Sequence, residues 1–391
     1  MNQDIIQSIL DTDLYKLTMQ NAVLQLFPKA KAQFELVNRG KTQFPIGFDK
    51  ELKKQIVFMS KLALSDEEGI FLNEKCPFLG EAYVDFLRGY RFNPDEVMVT
   101  QRGGDLSVVI TGPWYRTILW EVPLMAVISE LYFRMTKQTG EDWAVVLQKA
   151  QDKGNLMRAN GLKVADFGTR RRFSHLNQYN VVDTLKIFGK EALVGTSNVY
   201  IAMQLEIKPI GTMAHEWIQF HAAKYGFERA NVMAMENWAK VYRGDLGIVL
   251  TDTFTTKDFF RVFDKFYAKL FDGVRHDSGD PFEFGEKVIR HYEKLGIDPM
   301  SKVIIFSDGL TVEKALEIAK VFAGRIKVSF GIGTSLSNDV GVKPLNIVIK
   351  MFEVLIAFAQ EWTQTIKLSD VSGKNTGDFN TINLCKTLLG V

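Results

Sequence analysis

The densest group of reactive side chains in the sequence lies in VRHDSGDP, residues 274–281. A guanidinium, an imidazole and two carboxylates occur there within six residues, Arg275 to Asp280. Arg275 can bind a phosphate through two parallel hydrogen bonds, whereas Asp277 and Asp280 can bind a sugar hydroxyl or an Mg²⁺ that bridges phosphates. The alternative is a structural Arg–Asp loop network followed by an Asp-Pro turn.

A second reactive group is His215, one of five histidines, in the run GTMAHE at 211–216. The run follows an apolar segment, so the imidazole is expected at the end of a strand. It could act there as a general base or as a nucleophile that accepts a phosphoryl group, and a structural histidine is the alternative. His221 lies six residues further on and cannot form an i,i+4 metal pair with His215, which disfavours zinc.

Asp252, in the run LTDTF at 250–254, is a further acidic candidate. Its carboxylate also follows an apolar segment, which favours a role at a strand end. It could equally be the N-cap of a helix that begins near Thr255.

Three consecutive arginines follow Phe167 in FGTRRRFS, residues 167–174. An aromatic ring beside guanidinium groups can bind a flat aromatic acid. A solvated basic surface is the alternative interpretation.

Two glycine-containing loops could bind phosphate. GIGTSLS, residues 331–337, has two glycines and three hydroxyl-bearing residues, and its backbone N–H groups can approach phosphate oxygens closely. FSDG, residues 306–309, can add further N–H donors and the Asp308 carboxylate. In α/β barrels a phosphate site typically forms after the last strands, and both loops lie there.

All of these residues lie at equivalent positions of a sequence pattern that is repeated along the chain. Between 163 and 336, apolar runs break into polar turns that contain Gly or Asp, and most of the turns lead into a helical stretch. A buried strand that ends in Asp, His, Arg or Gly is typical of an α/β barrel with its chemistry at the strand C-termini. We expect an irregular barrel with roughly seven strands. The seven segments are KVADFGTRRR (163–172), ALVGTSN (192–198), KPIGTMAHE (208–216), LGIVLTDTF (246–254), FDGVRHDSGDP (271–281), KVIIFSDGL (302–310) and KVSFGIGTSL (327–336).

The length of 391 residues favours more than one structural unit. Residues 1–125 mix helix and strand patterns, with a hairpin around Gly103 and Gly104, and predict an α+β domain. The α/β barrel is predicted over 126–345. The C-terminal segment, 346–391, is expected to pack back on the N-terminal domain, and its apolar stretch at 346–362 is interpreted as a buried helix.

Composition restricts the possible partners. The net charge is +2, with 48 basic and 46 acidic residues, so no global field favours nucleic acid or an anionic membrane. Only two cysteines occur, and the N-terminal residues lack a signal-peptide pattern, so a cytoplasmic protein is expected. Lys350 and Glu353 interrupt the longest apolar stretch near the C-terminus, which disfavours a membrane span.

Eight motifs in this order resemble those of the nicotinate phosphoribosyltransferase family, and the resemblance spans nearly the whole chain. The motifs are TDLYKLTM (12–19), DFGTRRR (166–172), GTSN (195–198), GTMAHE (211–216), VRHDSGDP (274–281), FSDGL (306–310), FGIGT (330–334) and KLSDVSGK (367–374). The resemblance implies an irregular TIM-like α/β barrel with an α+β domain formed from both chain ends. It also implies a homodimer with composite active sites.

The reaction implied by the resemblance joins nicotinate to 5-phosphoribosyl 1-pyrophosphate, with Mg²⁺ and coupled ATP hydrolysis. Phe167 and Tyr15 would stack on the two faces of the pyridine ring, with Tyr15 coming from the partner subunit. Arg170 and Ser197 would bind its carboxylate. His215 matches the histidine that ATP phosphorylates, which makes it an energy-coupling residue.

The same resemblance assigns the sugar phosphate to the later strand ends. Asp277 would bind the ribose hydroxyls. The residues expected to hold the ribose 5-phosphate are Arg275, Gly309, Gly333 and Thr334. His276 is a departure, because the family more usually has Gln there, and it is expected to add a titratable group near the sugar.

Three alternatives stay open. Family members that act on nicotinamide carry an acidic residue at position 197, and neutral Ser197 favours the acid. A sugar-phosphate aldolase or isomerase would use the same phosphate loops, but Lys163 and Lys327 lie at strand beginnings, where they cannot form a Schiff base at a strand end. A catalytically silent binding protein would have lost site motifs, and only His276 departs.

Overall fold

The computed structural model describes residues 4–371 and 375–391, so the last three residues of KLSDVSGK lie outside the described part. Helices surround two separate sheets, one antiparallel and one parallel. The predicted α/β class is confirmed. Within the described residues, no helix has the length and apolar character needed to cross a bilayer.

The antiparallel sheet is built from both ends of the chain. Its strand order is β11-β10-β1-β3-β2, and β1 pairs with β10 along its whole length. The predicted α+β unit from both chain ends is therefore confirmed, as is the hairpin around Gly103 and Gly104. The strands are β1 (Lys31–Asn38), β2 (Val97–Arg102), β3 (Asp105–Pro113), β10 (Ile347–Leu355) and β11 (Thr363–Gln364).

The helix predicted over 346–362 is wrong, because most of this segment is strand β10. Its buried side chains alternate, with Ile347, Ile349 and Met351 facing the core and Lys350 on the opposite face. β-Branched residues with a two-residue period favour a strand, whereas the length and overall hydrophobicity of the segment, on which the helix expectation rests, do not distinguish the two.

The parallel sheet has the order β5-β4-β9-β8-β7-β6, so the last strand returns to pair with the first. The remaining predicted segment, KPIGTMAHE (208–216), forms only an isolated bridge between Thr196 and Pro209. Proline has no N–H for a second neighbour, and among the described residues no pairing joins Pro209 to β6. The barrel is thus irregular and incomplete, as expected. The strands are β4 (Val164–Asp166), β5 (Leu193–Thr196), β6 (Ile248–Leu250), β7 (Gly273–His276), β8 (Val303–Phe306) and β9 (Lys327–Ile332).

The helices cover the outside of both sheets. Residues 256–270 form two helices rather than one, because Asp264 caps the second by accepting from the N–H groups of Phe266 and Tyr267. The helix α17 packs against Phe227–Arg229 on the barrel side. The helices are α1 (Leu14–Leu26), α2 (Phe48–Met59), α3 (Asp66–Lys75), α4 (Glu81–Gly89), α5 (Trp114–Thr117), α6 (Glu121–Met135), α7 (Trp143–Ala159), α8 (His175–Gly189), α9 (Val199–Gln204), α10 (His215–Tyr225), α11 (Ala230–Tyr242), α12 (Thr256–Val262), α13 (Lys265–Leu270), α14 (Pro281–Lys294), α15 (Val312–Phe322), α16 (Thr334–Ser337) and α17 (Phe379–Leu389).

A buried ion pair attaches the N-terminal segment to the barrel. Arg172, the third of the consecutive arginines, is fully buried and binds Asp11 through both guanidinium nitrogens at 2.7 and 2.8 Å. Burial acts to raise the pKa of Asp11, but the charge and hydrogen bonds of Arg172 outweigh it and hold that pKa well below its usual range. Arg172 is therefore a structural residue and contributes to no basic surface.

Replacing Arg172 by Met should lower the free energy of unfolding by about 3–5 kcal/mol, because Asp11 would stay buried without its counter-ion. Urea denaturation followed by circular dichroism measures the loss. Arg325→Met is the matched control, since Arg325 also forms a bidentate pair, with Glu286, but on the surface. Equal losses in the two variants would contradict this role for Arg172.

Candidate active site

One cavity of about 440 Å³ opens at the C-terminal ends of the parallel strands. The turns after β4, β5, β7, β8 and β9 form its floor, and residues of β10 and α1 form its walls. Its volume lies within the range of small-molecule sites. The predicted site residues that line it are Tyr15, Phe167, Arg170, Ser197, His215, Arg275, Asp277, Asp308, Gly309, Gly333 and Thr334.

At one end of the cavity, Phe167 and Tyr15 lie on its wall. Phe167 N donates to Ile332 O at 2.8 Å, and its ring crosses Gly331 so closely that a Cβ there would lie 2.2 Å from it. The first glycine of GIGT therefore makes room for the ring of Phe167. Tyr15 belongs to the same chain, so this cavity contains it without a second subunit.

Arg170 brings a cation to this aromatic end. Its guanidinium lies 3.9 Å from Glu121 Oε1, and Tyr15 and Glu121 raise its pKa, so the group stays charged. Arg171 also lines the cavity. Two of the three consecutive arginines thus serve the site, and Arg172 serves the fold.

Ser197 lies where it was expected, but its hydroxyl already has a partner. Ser197 Oγ donates to Asp13 Oδ1 at 2.7 Å, and both side chains are buried on the cavity wall. Our sequence interpretation missed Asp13, because nothing local shows that residue 13 meets residue 197.

Beneath the aromatic end lies Lys16, which is fully buried and contacts the carboxylates of both Glu121 and Glu216. Trp114 Nε1 also donates to Glu216, at 3.2 Å. Burial acts to lower the pKa of Lys16, but the two carboxylates outweigh it and raise that pKa. The ammonium is therefore a permanent charge that joins α1, α6 and α10. The sequence carried no signal for this triad.

His215 is the first residue of α10 and meets groups from three separate turns. Its Nδ1 lies 2.9 Å from Thr253 Oγ1, and its Nε2 lies 2.9 Å from Asp277 Oδ2 and 3.0 Å from Lys367 Nζ. Burial lowers the pKa of His215, Lys367 lowers it further, and Asp252 and Asp277 only partly offset this. The ring is therefore neutral near pH 7 and can act as a nucleophile.

Lys367 is another site residue that the sequence analysis missed, although its motif, KLSDVSGK, resembles that of the family. The segment is fixed to the barrel because Leu368 N donates to Thr253 O at 2.8 Å and Thr255 N donates to Leu368 O at 3.0 Å. Lys367 Nζ lies 2.9 Å from Asp252 Oδ2. A C-terminal segment thus places a cation beside His215.

Asp252 does not cap α12, because Thr255 does so by accepting from Asp258 N. Its Oδ2 accepts hydrogen bonds from Ser278 at 2.6 Å and from Lys367, whereas its buried Oδ1 has no hydrogen-bond partner among the described residues. The site interpretation of Asp252, rather than the capping one, fits this arrangement.

Asp280 is exposed and caps α14 by accepting from the N–H groups of Phe282 and Glu283. The Asp-Pro turn was therefore the better interpretation of this residue, and the expectation that it binds metal is not supported by its position. The described residues with metal-binding spacing are instead His215, Asp252 and Asp277, whose candidate ligand atoms lie within 4.8 Å of one another.

The two glycine-containing loops form a second part of the cavity lining. Gly309 has a φ of 60°, in the left-handed region that suits glycine, and Ser335 Oγ donates to Leu310 O, which ties the two loops together. Arg275 Nη1 donates to Met213 O at 3.1 Å, and its buried Nε has no hydrogen-bond partner in the described part of the chain. The two loops therefore offer backbone N–H donors, and Arg275 has unused hydrogen-bonding capacity.

His276 does not face the sugar site as expected. Its side chain is buried on the other side of β7, against the rings of Phe284 and Phe306. Burial lowers the pKa of His276. Side chains alternate along a strand, so a residue between Arg275 and Asp277 must point away from the cavity that they line.

Comparisons with known proteins agree on one family. A model described as the nicotinate phosphoribosyltransferase (NAPRTase) family matches residues 162–391, and a model of the NAPRTase N-terminal domain matches residues 10–129. The chain is 51% identical over 387 residues to the nicotinate phosphoribosyltransferase of Chromohalobacter salexigens, covering 99% of each chain. It is 49% identical over 385 residues to that of Desulforapulum autotrophicum, covering 98% of this chain and 99% of the relative.

Solved structures give the same result. The crystal structure of nicotinate phosphoribosyltransferase from Porphyromonas gingivalis superposes with a TM-score of 0.97 at 48% identity, covering 99% of this chain and 100% of the other. A putative nicotinate phosphoribosyltransferase from Saccharomyces cerevisiae gives a TM-score of 0.93 at 34% identity, covering 100% of this chain and 99% of the other.

Replacing Lys367 by Met should move the protonation midpoint of His215 to higher pH. Lys367 lowers the pKa of His215, so its removal lets protonation begin earlier as the pH falls. An NMR titration of the His215 ring protons measures the midpoint. Lys367→Arg keeps the cation and should titrate as the wild type does; a Met variant that matches it would show that Lys367 has no electrostatic contact with His215.

Proposed function

This chain belongs to the nicotinate phosphoribosyltransferase family, and we propose that it joins nicotinate to 5-phosphoribosyl 1-pyrophosphate, forming nicotinate mononucleotide and pyrophosphate. One observation carries the proposal. A single cavity is lined by an aromatic ring and a cation, Phe167 and Arg170, and also by two glycine-containing loops at Gly309 and Gly333. A pyridine mononucleotide requires both kinds of group, the first for its ring and carboxylate and the second for its phosphate.

At the first end, the pyridine ring lies between Phe167 and Tyr15, and the charged guanidinium of Arg170 binds the nicotinate carboxylate. Aromatic faces favour a flat ring, and a guanidinium matches the two oxygens of a carboxylate. Glu121, 3.9 Å from Arg170, limits how far that side chain can move.

At the other end, Arg275 and the backbone N–H groups of Gly309, Gly333 and Thr334 bind the ribose 5-phosphate. The Nε–H of Arg275 is buried and has no hydrogen-bond partner among the described residues, which supports this assignment, since a buried donor without an acceptor is costly. Asp277 binds the ribose hydroxyls, and Ser307 Oγ orients it by donating to its Oδ1 at 2.9 Å.

In the chemical step, the lone pair of the pyridine nitrogen forms the bond to the anomeric carbon of the ribose. The bond from that carbon to pyrophosphate breaks, and the leaving group keeps the electron pair. Positive charge develops on the ribose in between, so no protein base is required. Catalysis then depends on positioning and on electrostatic stabilisation of the leaving pyrophosphate.

We assign to His215 the coupling of ATP hydrolysis, through a phosphohistidine. When the ring proton is on Nδ1, it donates to Thr253 Oγ1, and the Nε2 lone pair can attack the γ-phosphorus of ATP. The P–N bond forms as the bond to ADP breaks, and Lys367, 3.0 Å from Nε2, is placed to neutralise the transferred phosphoryl group. Water later removes the phosphoryl group and regenerates the histidine.

The donor set suits Mg²⁺, which prefers oxygen ligands. Asp277 and the unpartnered Oδ1 of buried Asp252 would supply carboxylate oxygens, and Asp280 would not. When bound, the ion neutralises the charge of pyrophosphate or of the ATP phosphates.

The family likeness also supports a homodimer in the cytoplasm. Its active site would not need Tyr15 from a partner, because Tyr15 of the same chain lines the cavity.

One observation favours nicotinamide as a second candidate substrate: Asp13, beside Ser197, adds a carboxyl group at the end that binds the pyridine.

Incubation with nicotinate, 5-phosphoribosyl 1-pyrophosphate, Mg²⁺ and ATP should yield nicotinate mononucleotide and pyrophosphate. Chromatography of the products measures both. Nicotinamide, tested in parallel, should be the poorer substrate, because Arg170 favours the acid. Product from nicotinamide alone would overturn the proposed substrate.

Replacing His215 by Ala should reduce coupled ATP hydrolysis to below about 1% of the wild-type rate, because the nucleophile is lost. The acid-labile phosphoprotein should disappear, whereas a weak transfer without ATP should remain and shows that the variant is folded. Labelled ATP and a filter assay measure both effects. Coupled hydrolysis that persists in this variant would remove His215 from the mechanism.

A further inference from the structure

Asp13 is the N-cap residue of α1, yet its side chain accepts no hydrogen bond from that helix. An aspartate at this position ordinarily accepts from the N–H groups of the first turn. Here the carboxyl group meets Ser197 instead, with 2.7 Å between Oδ1 and Oγ. Both side chains are buried on the cavity wall near Arg170, so the carboxyl group is directed into the site.

Backbone pairing holds the two side chains together. Leu14 N donates to Ser197 O at 2.8 Å, and Val199 N donates to Thr12 O at 2.9 Å. Asp13 and Asn198 form an antiparallel bridge between these bonds. The contact between Asp13 and Ser197 is therefore a fixed part of the site.

A serine hydroxyl has one proton to donate. If Asp13 is ionised, that proton is used in a charge-assisted bond to Asp13, and Ser197 can offer only lone pairs to a ligand. If Asp13 is protonated, its O–H donates to Ser197 Oγ, and the serine proton is free to point elsewhere. The proton on Asp13 thus decides what Ser197 presents to the cavity.

We propose that Asp13 is a specificity-determining residue, whose protonation lets Ser197 donate a hydrogen bond to the carboxylate of nicotinate. Ionisation of Asp13 reverses the preference, because the lone pairs of Ser197 suit the N–H₂ group of nicotinamide. The inference rests on the proposed function, since it requires the pyridine ring to occupy the end of the cavity at Phe167.

The surroundings of Asp13 support a retained proton. Burial is the largest influence and raises the pKa of Asp13, and Glu121 acts in the same direction. Arg170 and the hydrogen bonds of Ser197 and Thr169 oppose it, and the pKa is raised on balance. The other charged or titratable groups that interact with Asp13 are Tyr15 and Arg172.

Binding of nicotinate further favours the protonated form of Asp13. A second carboxylate near Asp13 disfavours its ionisation, so nicotinate binds best to the protonated form. An acid is neutral below its pKa, so the preference for nicotinate is complete at low pH. Above the pKa of Asp13 it falls, approaching about tenfold per pH unit.

The test is the ratio of kcat/KM for nicotinate to kcat/KM for nicotinamide, measured across the pH range in which the protein stays folded. Ionisations that act on both reactions, such as that of His215, cancel in this ratio. The wild-type ratio should fall as the pH rises. Asp13→Asn is always neutral and can donate to Ser197, so its ratio should be high and independent of pH. Asp105→Asn, at the exposed start of β3, is the matched control and should behave as the wild type does.

Three results would overturn the inference: a wild-type ratio that does not change with pH, an Asp13→Asn ratio that still falls with pH, or one that is low at every pH. If Asp13→Asn does not fold, Ser197→Ala replaces it. Without the hydroxyl, its ratio at low pH should lie below that of the wild type, and a ratio equal to that of the wild type at every pH also overturns the inference. A wild-type protein that uses neither substrate is a different result, and it contradicts the proposed function itself.

Discussion

The buried ammonium of Lys16 is the interaction on which the geometry of the site depends. It lies on α1 and contacts Glu121 of α6 and Glu216 of α10. Removing one partner from a buried ionic group leaves an uncompensated charge, which costs several kcal/mol. The three helices therefore cannot shift independently. Because Tyr15 precedes Lys16 and His215 precedes Glu216, the same cation fixes the aromatic end of the cavity relative to the histidine.

The second constraint is that the site takes residues from both ends of the chain. Lys367 reaches His215 only because its segment is bound to the barrel at Thr253 and Thr255, after β10 has crossed to pair with β1. Asp13 reaches Ser197 through the same kind of backbone pairing. The incomplete barrel supplies a set of strand ends, and the chain termini complete the cavity above them. Its electrostatics follow from this arrangement, since burial and Lys367 together keep His215 neutral.

Much of the site could be predicted from the sequence, because local patterns mark strand ends. An apolar run that changes to Gly, Asp or His shows both a strand and the edge where its chemistry lies, and the residues predicted at these ends for the ring and the phosphate line one cavity. Local patterns failed where two interpretations share the same residues. Asp280 could bind a metal or belong to an Asp-Pro turn, and in the structure it caps α14 by accepting from the N–H groups of Phe282 and Glu283. The stretch containing Lys350 was apolar enough for a helix, and pairing with β1 made it a strand. Lys16, Asp13 and Lys367 could not be predicted, because their partners lie far away in sequence.

A crystal structure with nicotinate mononucleotide and Mg²⁺ bound tests the central claim most directly, that one cavity binds the pyridine at one end and the phosphate at the other. The account predicts the ring between Phe167 and Tyr15, the carboxylate at Arg170, and the 5′-phosphate at the loops of Gly309 and Gly333. A nucleotide bound in the opposite direction, or outside this cavity, would contradict it.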